Sequence, residues 1–256
     1  MKRILVARGG NAIKKPGEVG TLNNQMENIN IAAKQLSEIA KSGCKLVITH
    51  GNGPQVGNLA IQQEIAMDEA PPQPLFILVA MTQGQIGYMI QQSLVNLLEE
   101  GDENQVVTFV TRVLVDKDDP DFQNPSKPVG PFYIKERAQN LSKENNWVVK
   151  KVRPTGDENW RRVVPSPEPL GMVEIKAIKT LLDSRMIVIA SGGGGIPVIR
   201  NSEGSLEGIE AVVDKDKASA KLAEEIGADT FLVLTDVEYA IKNFGGPKEE
   251  AIKEMT

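Results

Sequence analysis

Small residues and cations recur at places where a chain could hold phosphate. Three stretches, Ala7-Arg8-Gly9-Gly10-Asn11, Thr49-His50-Gly51-Asn52-Gly53 and Ala190-Ser191-Gly192-Gly193-Gly194-Gly195, each follow an apolar run. Glycine lets the backbone turn sharply and lets phosphate oxygens approach its N–H groups, and a following helix adds a favourable dipole. One glycine after a strand is commonly only a turn; repetition at successive strand ends indicates an anion cleft. Phosphoryl transfer asks little covalent chemistry of a protein but needs cations set against the moving charge. Lys127, in the stiff NPSKPVGPF stretch, and Lys215, in AVVDKDKA, supply candidate ammonium groups. Asp214 and Asp216 flank Lys215, and Asp214 stands where it can cap a helix while orienting a neighbouring lysine.

Spacing excludes two common nucleotide motifs. Gly51, Gly53 and Gly57 miss the G-x-G-x-x-G pattern, and no G-x-x-x-x-G-K-[ST] occurs. His50 has no second His to join it, and the one cysteine, Cys44, cannot complete a zinc shell or an intramolecular disulfide. His50 therefore reads as a structural loop residue, since an ionised acceptor needs no general base. Arg161 and Arg162 suit either a phosphate clamp or a tether for the segment that carries them.

Those groups need a scaffold. The 256 residues, 41% hydrophobic and 25% charged, suit a soluble globular protein with a sizeable core. A net charge of −5 gives no field for nucleic acid. No apolar stretch approaches a signal or membrane segment, and the free cysteine suits a reducing cytoplasm.

Residues 3–7 and 44–49 read as strands, each followed by a glycine loop and a helical pattern. Residues 75–98 look helical with an interruption at Gly84 and Gly87, and Gln105 to Val115 read as one β-branched strand. From Asp116 to about Pro169 the texture changes to proline-rich sequence around a helical segment, Ile134 to Asn145, with Phe122, Phe132, Tyr133, Trp147 and Trp160 as apolar anchors. This predicts an inserted lid. Alternation then resumes through a helix near Val173 to Leu182, the strand MIVIA, the loop SGGGGIP, the helix KASAKLAEEIG and the strand TFLVLTDV. The expected class is α/β, a three-layer αβα sandwich with an open, mostly parallel sheet.

The stretches GGNAI, ITHGNGPQVGNL, QGQIGYMIQQSL, DPDFQNPSKPVGPFY, WRRVVPSPEP, IVIASGGGGIPV, EAVVDKDKASAKLA and VLTDVEYA resemble the carbamate kinases of the amino acid kinase family. NPSKPVGPFY and WRRVVPSP point beyond the wider family to that group. The resemblance implies reversible phosphoryl transfer between ATP and carbamate, giving ADP and carbamoyl phosphate, with Mg²⁺ carried by the nucleotide. It also implies a homodimer, a place in arginine metabolism, an acceptor-binding lobe over residues 1–185 that includes the lid at 116–169, and a nucleotide-binding lobe over 186–256. By the same resemblance, Gly9, Gly10 and Asn11 form the first substrate loop and Gly51 and Asn52 the second. Lys127 matches the lid lysine, Lys215 the lysine that stabilises the transferring group, and Asp214 its organiser. Gly192, Gly193, Gly194, Asp236, Val237 and Phe244 fall at the nucleotide pocket, with Phe244 near adenine.

Two features depart from the family pattern. Arg8 replaces an apolar residue just before the first loop; pointing inward, it would need a partner. The family continues for a few tens of residues through a G-S-M-x-P-K-like segment, so the C-terminal lobe is expected to be incomplete. Two other expectations stay open: an amino acid kinase acting on another carboxylate or phosphate and, from these departures, a catalytically weak ligand-binding homologue.

Overall fold

A computed structural model describes residues 1–9, 13–15, 17–98, 105–234, 240–243, 246 and 248–252. The chain opens with β1 (Arg3–Arg8), α1 (Leu22–Lys41), β2 (Lys45–His50), α2 (Gly53–Ala66) and α3 (Leu75–Val95). It continues through β3 (Val106–Thr108), β4 (Arg112–Val115), β5 (Lys127–Tyr133), α4 (Lys135–Asn145), β6 (Val148–Lys151), β7 (Trp160–Val164) and β8 (Pro169–Met172). The remaining elements are α5 (Ile175–Asp183), β9 (Ile187–Ile189), β10 (Ile196–Arg200), β11 (Leu206–Gly208), α6 (Lys215–Ile226), β12 (Thr230–Leu234) and the hairpin β13 (Ala240–Lys242) with β14 (Glu250–Ile252).

The main sheet has five strands in the order β12-β1-β2-β9-β3, paired in parallel throughout. Its inner strands are nearly continuous apolar runs because both faces are covered, whereas Phe231, Leu232 and Val233 of the edge strand β12 are exposed. Leu5, Ala7, Val47 and Val188 pack with Ile178 and Leu182 of α5 and Leu222 and Ile226 of α6. Their neighbours in sequence, Val6, Leu46, Ile48 and Ile189, point to the other face and meet Ile29, Ala33 and Leu36 of α1 with Ile86, Ile90 and Leu94 of α3. The result is the expected αβα sandwich.

Thr21 starts α1 with a capping box: its Oγ1 accepts from the Asn24 N–H, and Asn24 Oδ1 accepts from the Thr21 N–H. The interruption expected in α3 does not occur. The helix runs unbroken, and Gly87 serves packing instead, since a Cβ there would fall 2.2 Å from Thr108 Cγ2 on the neighbouring strand. The single strand expected over Gln105 to Val115 is two, separated at Phe109 to Thr111. β3 closes an edge of the main sheet, while β4 joins a second sheet of order β11-β10-β4-β8. The break lets one segment serve both sheets, and Thr111 is buried where they meet the glycine loop.

The lid is a three-stranded antiparallel sheet, β5-β7-β6, with α4. It leaves and re-enters the body at one place, because Val115 lies opposite Pro169. Two aspartates close this base: Asp121 Oδ2 accepts from the Ser166 N–H at 2.5 Å and Asp119 Oδ2 from the Glu168 N–H at 3.0 Å.

Candidate active site

Sheet order brings the three glycine loops together. β1, β2 and β9 are adjacent and parallel, with Arg8 opposite His50 and Ile48 opposite Ile189. Gly9, Gly51 to Gly53 and Ser191 to Gly195 therefore leave the sheet side by side at its carboxyl edge. The Gly51 N–H donates to Arg8 O at 2.9 Å, and the Gly9 N–H to Leu234 O at 3.2 Å, which ties the first loop to β12.

The third loop is held too tightly for side chains. Gly193 and Gly194 have φ of +67° and +93°. A Cβ on Gly193 would lie 2.2 Å from Asn52 Nδ2, and one on Gly194 2.3 Å from Val213 O. Buried backbone groups need partners, and the body supplies them. Thr111 Oγ1 accepts from the Ser191 N–H at 3.0 Å, while Gln83 Nε2 donates to Gly192 O at 3.0 Å and to Thr111 O at 3.1 Å. Asn52 Nδ2 donates to Thr82 Oγ1 at 2.8 Å, so its side chain fixes the second loop to α3.

Above this floor lies a cleft of about 690 Å³, bordered by Gly9, Gly51, Asn52, Gly193, Lys127, Asp214 and Lys215. Lys14 and Arg161 also border it, so its described lining carries several cations against one carboxylate, that of Asp214. Of the third loop, Gly193 reaches the cleft, whereas Gly192 and Gly194 pack behind it. Gly10, Asn11, Asp236, Val237 and Phe244 lie outside the described residues.

Asp214 caps α6, accepting on Oδ1 from the N–H groups of Asp216 at 2.8 Å and Lys217 at 3.4 Å. This leaves Oδ2 for the lid, where Lys127 Nζ donates to it at 2.8 Å. Burial alone would raise the Asp214 pKa, but the hydrogen bond and charge of Lys127, with the two backbone N–H groups, hold it below the usual carboxylate range. The lysine that Asp214 holds is thus Lys127. Lys215, at the first position of α6, is gripped by Asp216 at 2.8 and 2.9 Å.

The two lid arginines divide the roles that their pairing left open. Arg161 borders the cleft and donates to Gly130 O from Nε at 3.0 Å and Nη2 at 2.6 Å, with its guanidinium over Phe132. Burial, then the nearby Arg153 cation, lowers its pKa, against the opposing influence of Tyr133. Arg162 is a tether: it donates to Glu210 of the body at 2.6 Å and lies over Trp147. Tyr133 and Arg137 likewise reach Glu64 on α2, at 2.7 and 3.0 Å. Burial, then the hydrogen bond to and charge of Glu64, raise the Tyr133 pKa well above that of a free phenol, outweighing Arg137 and Arg162, so the phenol remains a donor.

His50 is fully buried, and desolvation lowers its pKa to about 4 despite a hydrogen bond between Nδ1 and Gly51 O. Its ring fills the space that a Gly192 side chain would need, with Nε2 at 2.4 Å from the missing Cβ. It is neutral at pH 7 and packs the loops. Arg8 turns away from the cleft into the body, where it is buried and its Nη2 donates to Asn28 O at 3.0 Å. Among the described residues no group of three His, Cys, Asp or Glu is arranged to hold a metal ion.

Sequence reasoning passed over Lys14, Gln83, Thr111 and Glu64. Lys14 had a signal, since it follows the first glycine loop closely. The others act across long separations that no local spacing reveals.

The family model described as the amino acid kinase family matches residues 2–254. The chain belongs to the amino acid kinase family. Within it, similar relatives are carbamate kinases. That of Pyrococcus furiosus is 50% identical over 99% of this chain and 81% of its own length. That of Haemophilus influenzae is 48% identical over 98% of this chain and 78% of its own. Among solved structures, the carbamate kinase from Giardia lamblia bound to AMP-PNP superposes with a TM-score of 0.87 at 40% identity, covering 98% of this chain and 79% of that one. This member of the family thus shares both sequence and architecture with carbamate kinases along almost all of its length.

Proposed function

We propose that this chain catalyses reversible phosphoryl transfer between ATP and carbamate, interconverting ATP and carbamate with ADP and carbamoyl phosphate. The observation that carries the reading is one cleft in which glycine loops from adjacent strand ends meet Lys14, Lys127, Arg161 and Lys215. Names of relatives at 43–52% identity favour carbamate over another carboxylate or phosphate acceptor, and favour an enzyme over a ligand-binding homologue.

In the direction of ATP formation, an oxygen of the ADP β-phosphate forms a bond to phosphorus while the bond from phosphorus to the carbamate oxygen breaks. No proton must move, so the buried neutral His50 is left a packing role. The Gly9–Asn11 and Gly51–Asn52 loops hold the acyl phosphate and the loop at Gly193 the nucleotide phosphates, through N–H groups other than those of Gly9, Gly51, Gly194 and Gly195, which backbone carbonyls already occupy. Lys215 faces the transferring phosphoryl group. Lys127, brought down by the lid, neutralises charge on the carbamate side, and Asp214 positions Lys127. Residues 1–185 serve the acceptor and 186–256 the nucleotide, for which Asp236, Val237 and Phe244 are further candidate contacts, Phe244 the one expected near adenine. Mg²⁺ would enter this site as a companion of the nucleotide and would shield phosphate charge there, with Asp214 the carboxylate on the described border of the cleft.

The protein acts in the cytoplasm, in arginine metabolism, as a homodimer. Support for pairing comes from α3, which has no charged side chain yet exposes Met81, Tyr88 and Val95. No helix among the described residues is long and apolar enough to cross a membrane. The direct test mixes the folded protein with ADP, Mg²⁺ and carbamoyl phosphate and measures ATP, with acetyl phosphate as a competing donor. ATP from carbamoyl phosphate in preference is the expected result; none above background sinks the proposal.

A further inference from the structure

Val129 and Gly130 border both the cleft and a second cavity of about 570 Å³, so β5 is the partition between the two. The body contributes Ala60, Leu75 and Leu78 to this cavity, and the lid contributes Leu141 and Trp147. A space of this size with apolar walls and a few polar groups is that of a small-molecule site.

The polar groups at its border specify a charge. Glu64 is engaged by Tyr133 and Arg137, and Arg162 by Glu210, so these charges offset one another. Glu144 also borders the cavity and forms no ion pair among the described residues. It lies in the last turn of α4, whose terminal carbonyls carry partial negative charge. Next to it, Asn145 spends its Nδ2 on Leu141 O at 3.2 Å, which leaves the amide oxygen as an acceptor. The lining acids outnumber the lining arginines, so an anion would meet net repulsion here; a cation would meet a carboxylate and a helix C-terminus, while the Trp147 ring, already faced by Arg162, adds apolar surface.

We propose that this cavity is a second binding site, for a small organic cation whose apolar body lies on Leu75, Leu78 and Trp147 and whose ammonium or guanidinium group is held by Glu144 and the C-terminal turn of α4. The occupant touches lid and body together. Because Lys127 begins the strand that walls the cavity, binding there is coupled to the lid position that sets the Lys127–Asp214 contact.

The test uses the full chain and three probes that share a phenethyl body, phenethylammonium, 3-phenylpropionate and 2-phenylethanol, with calorimetry and saturation-transfer NMR at fixed ionic strength. The ammonium probe is expected to bind about tenfold more tightly than the carboxylate. Ala60→Trp fills the cavity and abolishes binding, with the unfolding midpoint showing that the variant is folded. Glu144→Gln, a change at an exposed position, weakens the ammonium probe about fivefold and leaves the alcohol unchanged. Absence of ammonium binding, a carboxylate bound as tightly, or ammonium binding indifferent to Glu144→Gln would overturn the proposal.

Discussion

The floor of the cleft and its lid each present a lysine, but they support it by different physics. The floor is built of buried backbone: Gly193 and Gly194 touch Asn52 and Val213, and Gln83 and Thr111 satisfy the loop's polar groups. Lys215 stands on the first turn of α6, a helix packed through Leu222 and Ile226 into the main core. The lid, by contrast, meets the body through a small apolar seam, Val129 and Val164 against Val56, Leu75 and Leu78, and through partly exposed charge pairs, Lys127–Asp214, Arg137–Glu64 and Arg162–Glu210. Pairs of that kind contribute only about 0–1 kcal/mol each, whereas displacing close-packed backbone costs several times more. The difference assigns precision to the floor and adjustability to the lid.

The largest expected effect comes from removing the floor's own charge. Lys215→Ala should lower kcat for ATP formation about 10³-fold, a loss of about 4 kcal/mol of transition-state stabilisation. The unfolding midpoint should stay near that of the parent. Steady-state kinetics and a thermal melt together check this. A deep loss of kcat with Lys127→Ala and a shallow one with Lys215→Ala would reverse the assignment of roles.

Two glycines give the next contrast. Gly194→Ala places a methyl carbon against Val213 O at φ +93°, and Val213 immediately precedes the helix cap Asp214. Destabilisation of about 3 kcal/mol is expected, with loss of activity because both lysines shift. Gly130 in the lid has φ +71°, but an added Cβ meets nothing within 4 Å. There the cost is the left-handed backbone alone, about 1 kcal/mol. Urea unfolding of the two variants measures the gap, and equal costs would contradict a rigid floor and an open lid.

Floor and lid also differed in how much of them could be read before the fold was known. The floor was legible because its signals are local: small residues directly after a strand, at Gly9, Gly51 and Ser191–Gly195, although the third loop runs into β10 and β11 before the expected helix, α6. The lid showed as a change of texture with aromatic anchors, and its helix was placed within a residue. Hidden from view were pairings across space. Asp214 was legible as a cap, but its choice of Lys127 over the adjacent Lys215 depends on where the lid rests. Gly87 looked like a helix break because its neighbour Thr108 lies on another strand. The segment at Gln105 to Val115 has one uniform β-branched texture, yet two sheets divide it. Glu64 offers no local sign at all, being an ordinary acid on a helix until Tyr133 and Arg137 arrive from the lid.

The floor carries an acid sensitivity of its own. His50 titrates near 4 in the folded protein, against 6.5 for the free side chain. As pH falls through 6.5 the unfolded chain takes up the proton first, so stability decreases from there until about pH 4 and this contribution then levels off. Between pH 7 and 5 the loss should be about 2 kcal/mol, measurable by urea unfolding. His50→Asn should flatten the slope in that window, whatever its effect on absolute stability. An unchanged slope would mean that another group makes the floor acid-sensitive.

The smallest effect is expected at the lid's far tether. Glu64→Gln keeps an oxygen to accept from Tyr133 but removes the charge that holds Arg137. Stability should fall by less than about 1 kcal/mol, as for other partly exposed pairs. If the lid is the adjustable part, the cost appears in closing it over the acyl phosphate, so KM rises about threefold while kcat holds. A rigid lid would behave otherwise: Lys127 would be displaced in every turnover, and kcat would fall with KM unchanged. The KM-against-kcat split of this one variant therefore decides whether the lid's exposed pairs regulate access or, like the glycine floor, set the geometry of the reaction itself.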